Sequence, residues 1–380
     1  MLTERLDIAE GGDVPSRAVE SARSGKGGYR MIEAIDIENF RCFEKVSLND
    51  LRTVNLVVGK NGSGKTAFLE ALYFTLGSPA LAFKIKGWRG LGAQAQFTES
   101  TESRNAIWRD LFYGFDQTRV VRIGFSGTGE LERSVRITCS RNQLEFIAKP
   151  KSRAIYSQIS DIPPIEFHYA SRGRLATVKP EFREEGIKLE GGLEPAHGSF
   201  FPSTLQVDPQ ETARHFSSLS REGRIAPVVA ALRKVFPMVK GLSLEINGAI
   251  PTVYAELEGL SEKVPLGLIS SGLSKILAIL VSIANQHGGI VIVDEIENGL
   301  YYDRMADVWM TLRQFCEDED VQLFASSHSA ECLRSLESVI EEYPEDFSLL
   351  RTVQESNGCV VRHFQGDQFL AALEEHMEVR

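Results

Sequence analysis

The sequence predicts an α/β protein: a mixed sheet flanked by helices, with an antiparallel β meander and a helical insertion lobe attached. Three observations predict it. The apolar run Val54-Asn55-Leu56-Val57-Val58 leads into Gly59-Lys60-Asn61-Gly62-Ser63-Gly64-Lys65-Thr66, and Ala67, Phe68, Leu69, Ala71, Leu72 and Leu76 then recur at helical spacing. A second run, Ile290-Val291-Ile292-Val293, ends in Asp294-Glu295, and a third, Val321 to Ala325, ends in Ser326-Ser327-His328. Short, continuous apolar runs read as strands buried on both faces, as in a parallel sheet covered by helices.

The composition fits a globular chain: of 380 residues, 43% are apolar and 25% charged, enough for one large core plus a lobe. A net charge of −10 gives no global attraction to nucleic acid or anionic membrane, so such binding needs a local patch. The longest apolar stretch, Ile276 to Ile283, is too short to span a bilayer, so no membrane partner is expected. Residues 1–30 lack the apolar core of a signal peptide and read as a disordered tail, with the folded part beginning near Met31. Five scattered cysteines (Cys42, Cys139, Cys316, Cys332, Cys359) without C-x-x-C spacing argue for a reducing cytoplasm and against disulfides or zinc.

Along the chain, residues 32–40 alternate as a strand, and the strand, glycine loop and helix around residue 60 follow. Residues 78–116 are mixed, with a helix expected near 103–113. Strand-like runs near 119–125, 132–138 and 143–148 suggest an antiparallel meander, and Ile165 to Tyr169 a further strand. Residues 178–206 are rich in Gly, Pro and Glu without periodicity and read as a long mobile loop. Asp208-Pro209-Gln210-Glu211 starts a helix, with an N-cap, Pro at N1 and Glu at N3, and two helices are expected near 209–219 and 223–235. Asn247-Gly248 joins two alternating runs into a hairpin. The last third alternates helix (Ser271 to about Asn285; 304–316; near 329–341; near 366–376) with strand. The resulting division is a tail over 1–30, an N-terminal half over 31–160, an insertion and helical lobe over 161–240, and a C-terminal half over 241–380.

Gly59 to Thr66 fits G-x-x-x-x-G-K-[ST]. Its glycines let backbone N–H groups face phosphate oxygens and the helix N-terminus adds positive potential. Lys65 is placed for the β- and γ-phosphates, and the Thr66 hydroxyl for Mg²⁺. Asp294, at the carboxyl end of its strand, is the expected partner of Thr66 in holding Mg²⁺, and Glu295 the expected base for an attacking water. An acidic strand end alone is common; the glycine loop gives it meaning. Ser270-Ser271-Gly272-Leu273-Ser274-Lys275 opens a helix and offers a second anion site from the Ser270 hydroxyl and Gly272 N–H, against the plain reading of a serine-capped helix. His328 follows a core strand, which favours a role at the site over a structural one.

Glycine loop, signature-like serine segment, acidic strand end and histidine stand in the order of ABC-type ATPases, and the chain resembles their SMC/RecF/OLD-like branch. IDIENFRCFEKVSL near the start and DEIENGL at Asp294 to Leu300 carry that likeness. The resemblance implies an ABC-type head, ATP hydrolysis with Mg²⁺, and ATP-driven head-to-head dimerisation. Ser270 and Gly272 would then cover a nucleotide held by the other subunit. It departs from the pattern in three ways. Tyr301 stands where the group often has His, no coiled coil or Toprim nuclease segment is present, and no Q-loop glutamine is evident, Ser171-Arg172 or Gln158 being the nearest candidates.

Two functions follow as alternatives. One is a molecular switch whose ATP-dependent dimerisation holds or releases an effector protein such as a nuclease or toxin, a shape that occurs in antiphage defence. The other is a RecF-like ATPase of DNA repair, binding DNA through Arg119, Arg122, Arg133, Arg136, Arg141, Lys149, Lys151 and Arg153. A GTPase is disfavoured because no N-K-x-D motif is present.

Overall fold

The computed structural model describes residues 31–77, 108–128, 131–139, 165–183, 186–189, 191–194, 196–203, 208–248 and 250–374. The expected tail, the strand near 143–148, Gln158 and the basic residues Arg141, Lys149, Lys151 and Arg153 lie outside them.

The chain opens with β1 (Ile32–Phe40) and β2 (Phe43–Leu48), an antiparallel pair, then β3 (Val54–Val58) and α1 (Lys65–Thr75). Next come β4 (Val121–Gly127), β5 (Glu132–Cys139), β6 (Ile165–Ser171) and β7 (Arg174–Val178), followed by the short pair β8 (Glu181–Arg183) and β9 (Gly186–Lys188) and the four-residue β10 (Gly198–Phe201). Helices α2 (Pro209–Arg221) and α3 (Ile225–Val235) lead to β11 (Val239–Asn247), β12 (Ile250–Leu257) and β13 (Val264–Pro265). The last part runs α4 (Leu266–Ile269), α5 (Ser271–Asn285), β14 (Ile290–Val293), α6 (Met305–Asp318), β15 (Gln322–Ser327), α7 (Ala330–Arg334), α8 (Glu337–Glu342), β16 (Phe347–Glu355), β17 (Gly358–Gln365) and α9 (Gly366–Glu374).

Two six-stranded sheets result. The central one has order β10-β14-β15-β3-β16-β17, parallel but for β17, and the other is antiparallel, order β2-β1-β4-β5-β6-β7. Alternation along the central strands assigns each face its own core. Val54, Leu56, Val58, Val291, Val293, Leu323 and Ala325 face α2, α3, α5 and α6. Val57, Ile290, Ile292 and Phe324 face the other way, onto α1 and the antiparallel sheet. Helix α1 is therefore sandwiched between two sheets, which is why it is buried from Ala67 to Thr75 and largely apolar, Glu70 being the charged exception in that stretch. The polar residue of β3, Asn55, is satisfied in place by the Arg52 backbone and Ser348.

The stretch expected as a loop over 178–206 carries three strands. Of these, β10 pairs in parallel with β14 along Gly198 to Phe201 and extends the central sheet. Its sequence, Gly-Ser-Phe-Phe, is too short for a periodicity to register. Gly198 lets β10 pack closely here: a Cβ would displace the end of the Leu76 side chain. The expected helix near 329–341 is broken in two, α7 and α8. The Asn247-Gly248 hairpin forms as expected, with Asn247 paired to Ile250 and Gly248 at φ +65°.

Arg41, in the β1–β2 turn at φ +52°, pairs with Glu70 on α1 and fixes the antiparallel sheet to that helix. Both side chains are almost fully buried. Arg41→Met should destabilise the fold by about 3–5 kcal/mol because it removes a buried partner of the Glu70 carboxylate, and Arg41→Met with Glu70→Leu should recover part of the loss. Urea unfolding of the two variants checks this.

Candidate active site at the carboxyl edge of the central sheet

Register brings the motifs together. Val58 pairs with Ser327 and Arg351, and Val293 pairs with Ala325, so the ends of β3, β14 and β15 share one edge. An open parallel sheet binds ligands at that edge. The loop after β3 turns on Gly59, Gly62 and Gly64, at φ +148°, +82° and +101°. Gly59 lies beneath Thr352 of β16, whose carbonyl oxygen a Cβ would overlap, and Thr352 in turn bonds the Ser63 hydroxyl at 2.6 Å. A Cβ on Gly64 would meet the Cys42 sulfur at 2.8 Å and the Phe43 ring at 2.9 Å. The start of α1 has neither a capping side chain nor an acidic residue in its first turn. Its first N–H groups and dipole are thus left for an anion.

Lys65 folds back into the loop, its ammonium donating to the Gly59 carbonyl at 2.7 Å and the Lys60 carbonyl at 3.2 Å. Burial lowers its pKa, opposed by the charges of Asp294, Glu295 and Glu297. Asp294 is buried and accepts three hydroxyls: Thr66 at 3.0 Å and Ser203 at 3.2 Å on Oδ2, and Ser326 at 2.5 Å on Oδ1. Its backbone N–H donates to the Phe201 carbonyl at the end of β10.

Glu295 adopts a left-handed backbone, φ +50°. Three contacts hold that sparsely populated conformation: its N–H donates to Ser326 Oγ at 2.8 Å, Lys275 donates to its carbonyl at 2.6 Å, and Asn298 donates to its carboxylate at 2.7 Å. The turn aims the carboxylate to the open side, toward His328, whose Nδ1 is 3.7 Å away. His328 leans more closely on Glu297, 3.1 Å from Nδ1, and its backbone N–H donates to the same oxygen at 2.9 Å. Burial pushes the Lys275 ammonium down to about 8, with Glu297, Asp294 and Glu295 opposing.

The structure thus gathers Lys65, Thr66, Asp294, Glu295 and His328 around one mouth, with Lys60, Asn61, Gly62 and Ser63 forming the loop beside it. Ser270 and Gly272 do not join them in any described contact. The Ser270 hydroxyl caps α5, accepting from Leu273 N–H at 2.9 Å, and Gly272 lies so close to Gly299 that a Cβ would overlap its carbonyl. Of the candidates for a Q-loop residue, Ser171-Arg172 is displaced as well. Ser171 pairs with Arg133, whose guanidinium donates to the Leu76 carbonyl at the far end of α1, roughly 16 Å of helix from the glycine loop.

Sequence reasoning missed Ser203, Ser326, Glu297, Asn298 and Lys275 as site residues. Ser326 sits in the quoted serine pair after β15, Glu297 and Asn298 in DEIENGL, and Lys275 closes the serine segment; all four stood inside motifs read for other positions. Ser203 had no local signal.

The family described as "AAA domain, putative AbiEii toxin, Type IV TA system" matches residues 128–334, more than half of the chain, and that described as "AAA ATPase domain" matches residues 31–148. The chain belongs to the AAA ATPase domains of this family. Short stretches of it are also similar to SMC and RecF proteins. An ATP/GTP phosphatase of Helicobacter pylori is 23% identical over 89% of this chain and 96% of that protein. The DNA replication and repair protein RecF of Idiomarina loihiensis is 45% identical over only 11% of this chain and 12% of its own. The SMC head domain from Thermotoga maritima superposes on this ATPase domain with TM-score 0.47 and 11% identity, over 88% of this chain and 99% of that one. That likeness is too distant to add to the geometry above.

Proposed function

We propose that the chain hydrolyses ATP to ADP and phosphate at a composite site completed by a second copy of itself, and that closing and opening of this dimer switches an effector protein. The observation that carries the reading is the convergence of Lys65, Thr66, Asp294 and Glu295 at one edge, with no described contact between them and Ser270 or Gly272. Lys65 exchanges its loop carbonyls for β- and γ-phosphate oxygens. The hard oxygen donors of Thr66 and Asp294 fit Mg²⁺, which supplies charge neutralisation on the phosphates. Glu295, held by Ser326, Lys275 and Asn298, takes the proton of the attacking water, and His328, steadied by Glu297, contacts the γ-phosphate. Ser270 and the start of α5 present a hydroxyl and a helix dipole to the partner's nucleotide.

Exposed apolar side chains flank that segment and support dimerisation there. Leu268 precedes Ser270, and Tyr301 and Tyr302, in contact with tilted rings and centroids 4.8 Å apart, follow the turn that covers Gly272; all three are more than 60% exposed. The effector reading, with a nuclease or toxin as partner and antiphage defence as setting, is supported by the toxin–antitoxin wording of the family description. Five free cysteines suit a cytoplasmic protein, and no described helix is long and apolar enough to cross a membrane. The repair reading has less behind it. Of its basic patch, Arg119 is paired with Glu44 and Arg122 with Glu38, and Arg133 is spent on backbone carbonyls.

The test is phosphate release from Mg²⁺-ATP and Mg²⁺-GTP across protein concentration. Turnover per chain should rise with concentration as dimers form, with GTP no better than ATP. Turnover per chain independent of concentration in a confirmed monomer would refute the composite site.

A further inference from the structure

Against the end of the glycine loop lie two cysteines that the phosphate chemistry does not use. Cys42 follows Arg41 in the turn between β1 and β2, and Cys359 is the second residue of β17. The Cys359 N–H donates to the Cys42 carbonyl at 2.7 Å, and the two thiols are hydrogen-bonded to each other. A backbone bond of this kind between adjacent strands sets the Cα atoms roughly 5.5 Å apart, within the about 4.4–6.8 Å that a disulfide spans. Both residues line the space over the Cα of Gly64, the N-cap of α1 at φ +101°. A Cβ there would stand 2.8 Å from the Cys42 sulfur and 3.4 Å from the Cys359 Cβ.

The surroundings give an oxidant a way in and the pair little room to retreat. A cavity of about 190 Å³ between Glu44 and Lys45 of β2 and the Asn357-Gly358 turn has Cys359 in its wall. That is room for a small hydroperoxide, since a water needs only about 10–15 Å³. Cys42 is half-buried, and the residue before it, Arg41, is tied to Glu70 of α1. Burial, and next the bond to Cys359, push the Cys42 thiol up to about 12. Cys42 therefore keeps its proton, and the pair stays reduced until an oxidant is supplied.

We propose that Cys42 and Cys359 form a reversible disulfide under a hydroperoxide, and that closing it weakens ATP binding at the glycine loop. The effect on ATP rests on the nucleotide reading above; the disulfide itself does not. The O–O bond of the hydroperoxide breaks, its terminal hydroxyl goes to the Cys359 sulfur as a sulfenic acid, and the thiol proton leaves with the other oxygen as alcohol or water. The Cys42 sulfur then bonds that sulfur, the S–O bond breaks, and the Cys42 proton leaves with the hydroxyl as water. The two thiols lose two electrons and the peroxide gains them. In the product the sulfurs stand about 2.05 Å apart, inside any hydrogen-bond distance, so the side chains must converge. They converge against Gly64, whose carbonyl accepts from the Phe68 N–H at 2.9 Å and so opens α1. Moving Gly64 displaces the N–H groups that face the phosphates.

The test treats the protein with hydrogen peroxide, maps its peptides by mass spectrometry without reductant, and measures Mg²⁺-ATP binding by calorimetry before and after. Peptides linked through Cys42 and Cys359 should appear, ATP should bind about ten-fold more weakly, and dithiothreitol should reverse both. Cys42→Ser and Cys359→Ser should bind ATP like untreated wild type and keep that affinity in peroxide. Peroxide treatment that leaves Cys42 and Cys359 unlinked would overturn the proposal. So would linkage with unchanged ATP affinity, or an equal loss of affinity in the serine variants. Untreated wild type failing to bind ATP would instead bring down the nucleotide reading, and the peptide map would still decide whether the pair closes.

Discussion

Glu295→Gln should retain ATP binding and slow phosphate release by about 10²–10⁴-fold, the range expected when a general base is lost. The amide keeps the size of the side chain and its contact with Asn298, now 2.7 Å from the carboxylate. The backbone bonds from Ser326 and Lys275 do not involve the side chain, so the left-handed turn should persist. What is removed is a basic oxygen at the open side of the mouth. An ATP-bound dimer should therefore accumulate, visible by size-exclusion chromatography with light scattering in ATP and absent in ADP. Undiminished turnover would assign the base elsewhere, with Glu297 next in reach of His328.

Lys65→Ala should lose nucleotide rather than turnover alone. Its ammonium now bonds two loop carbonyls. Exchanging them for phosphate oxygens makes charge-assisted bonds of about 1.5–3 kcal/mol each, so losing two should weaken ATP roughly 10²–10⁴-fold. The fold should survive, because α1 is held by Phe68, Leu69, Leu72 and Phe74 packed between the sheets, none of which the substitution alters. Calorimetry with ATP and circular dichroism on the same sample separate the two effects. Wild-type affinity in Lys65→Ala would remove the phosphate role from the loop.

Both variants were legible in the sequence, and the reason is physical. Phosphate binding fixes glycine, lysine and hydroxyl at set spacings within one loop, and a buried parallel strand such as Ile290 to Val293 needs four consecutive apolar residues. Those constraints are local. Elements whose identity depends on distant partners left no such mark. Strand β10 is four residues long and exists because β14 offers it a free edge, so its stretch reads as loop. Ser203 is set by that strand and by Asp294, ninety-one residues away in sequence. The αL turn of Glu295 is likewise held from afar, by Lys275 and Ser326. The Ser171-Arg172 turn looked like a candidate for the site by its place after a strand, but that strand belongs to the antiparallel sheet and delivers it to the wrong end of α1.

The central claim is that two chains build each site, and mixing inactive variants tests it most directly. Lys65→Ala removes the phosphate contact of its own loop, and Ser270→Arg places a long cation where α5 would meet the partner's nucleotide. Each alone should be inactive. A mixed dimer has one site bearing both lesions and one bearing neither, so an equimolar mixture with exchanged subunits should recover about a quarter of wild-type phosphate release if the two sites act independently. Wild-type release by Ser270→Arg alone, as a monomer, would contradict the claim, because it would mean that one chain completes the site by itself.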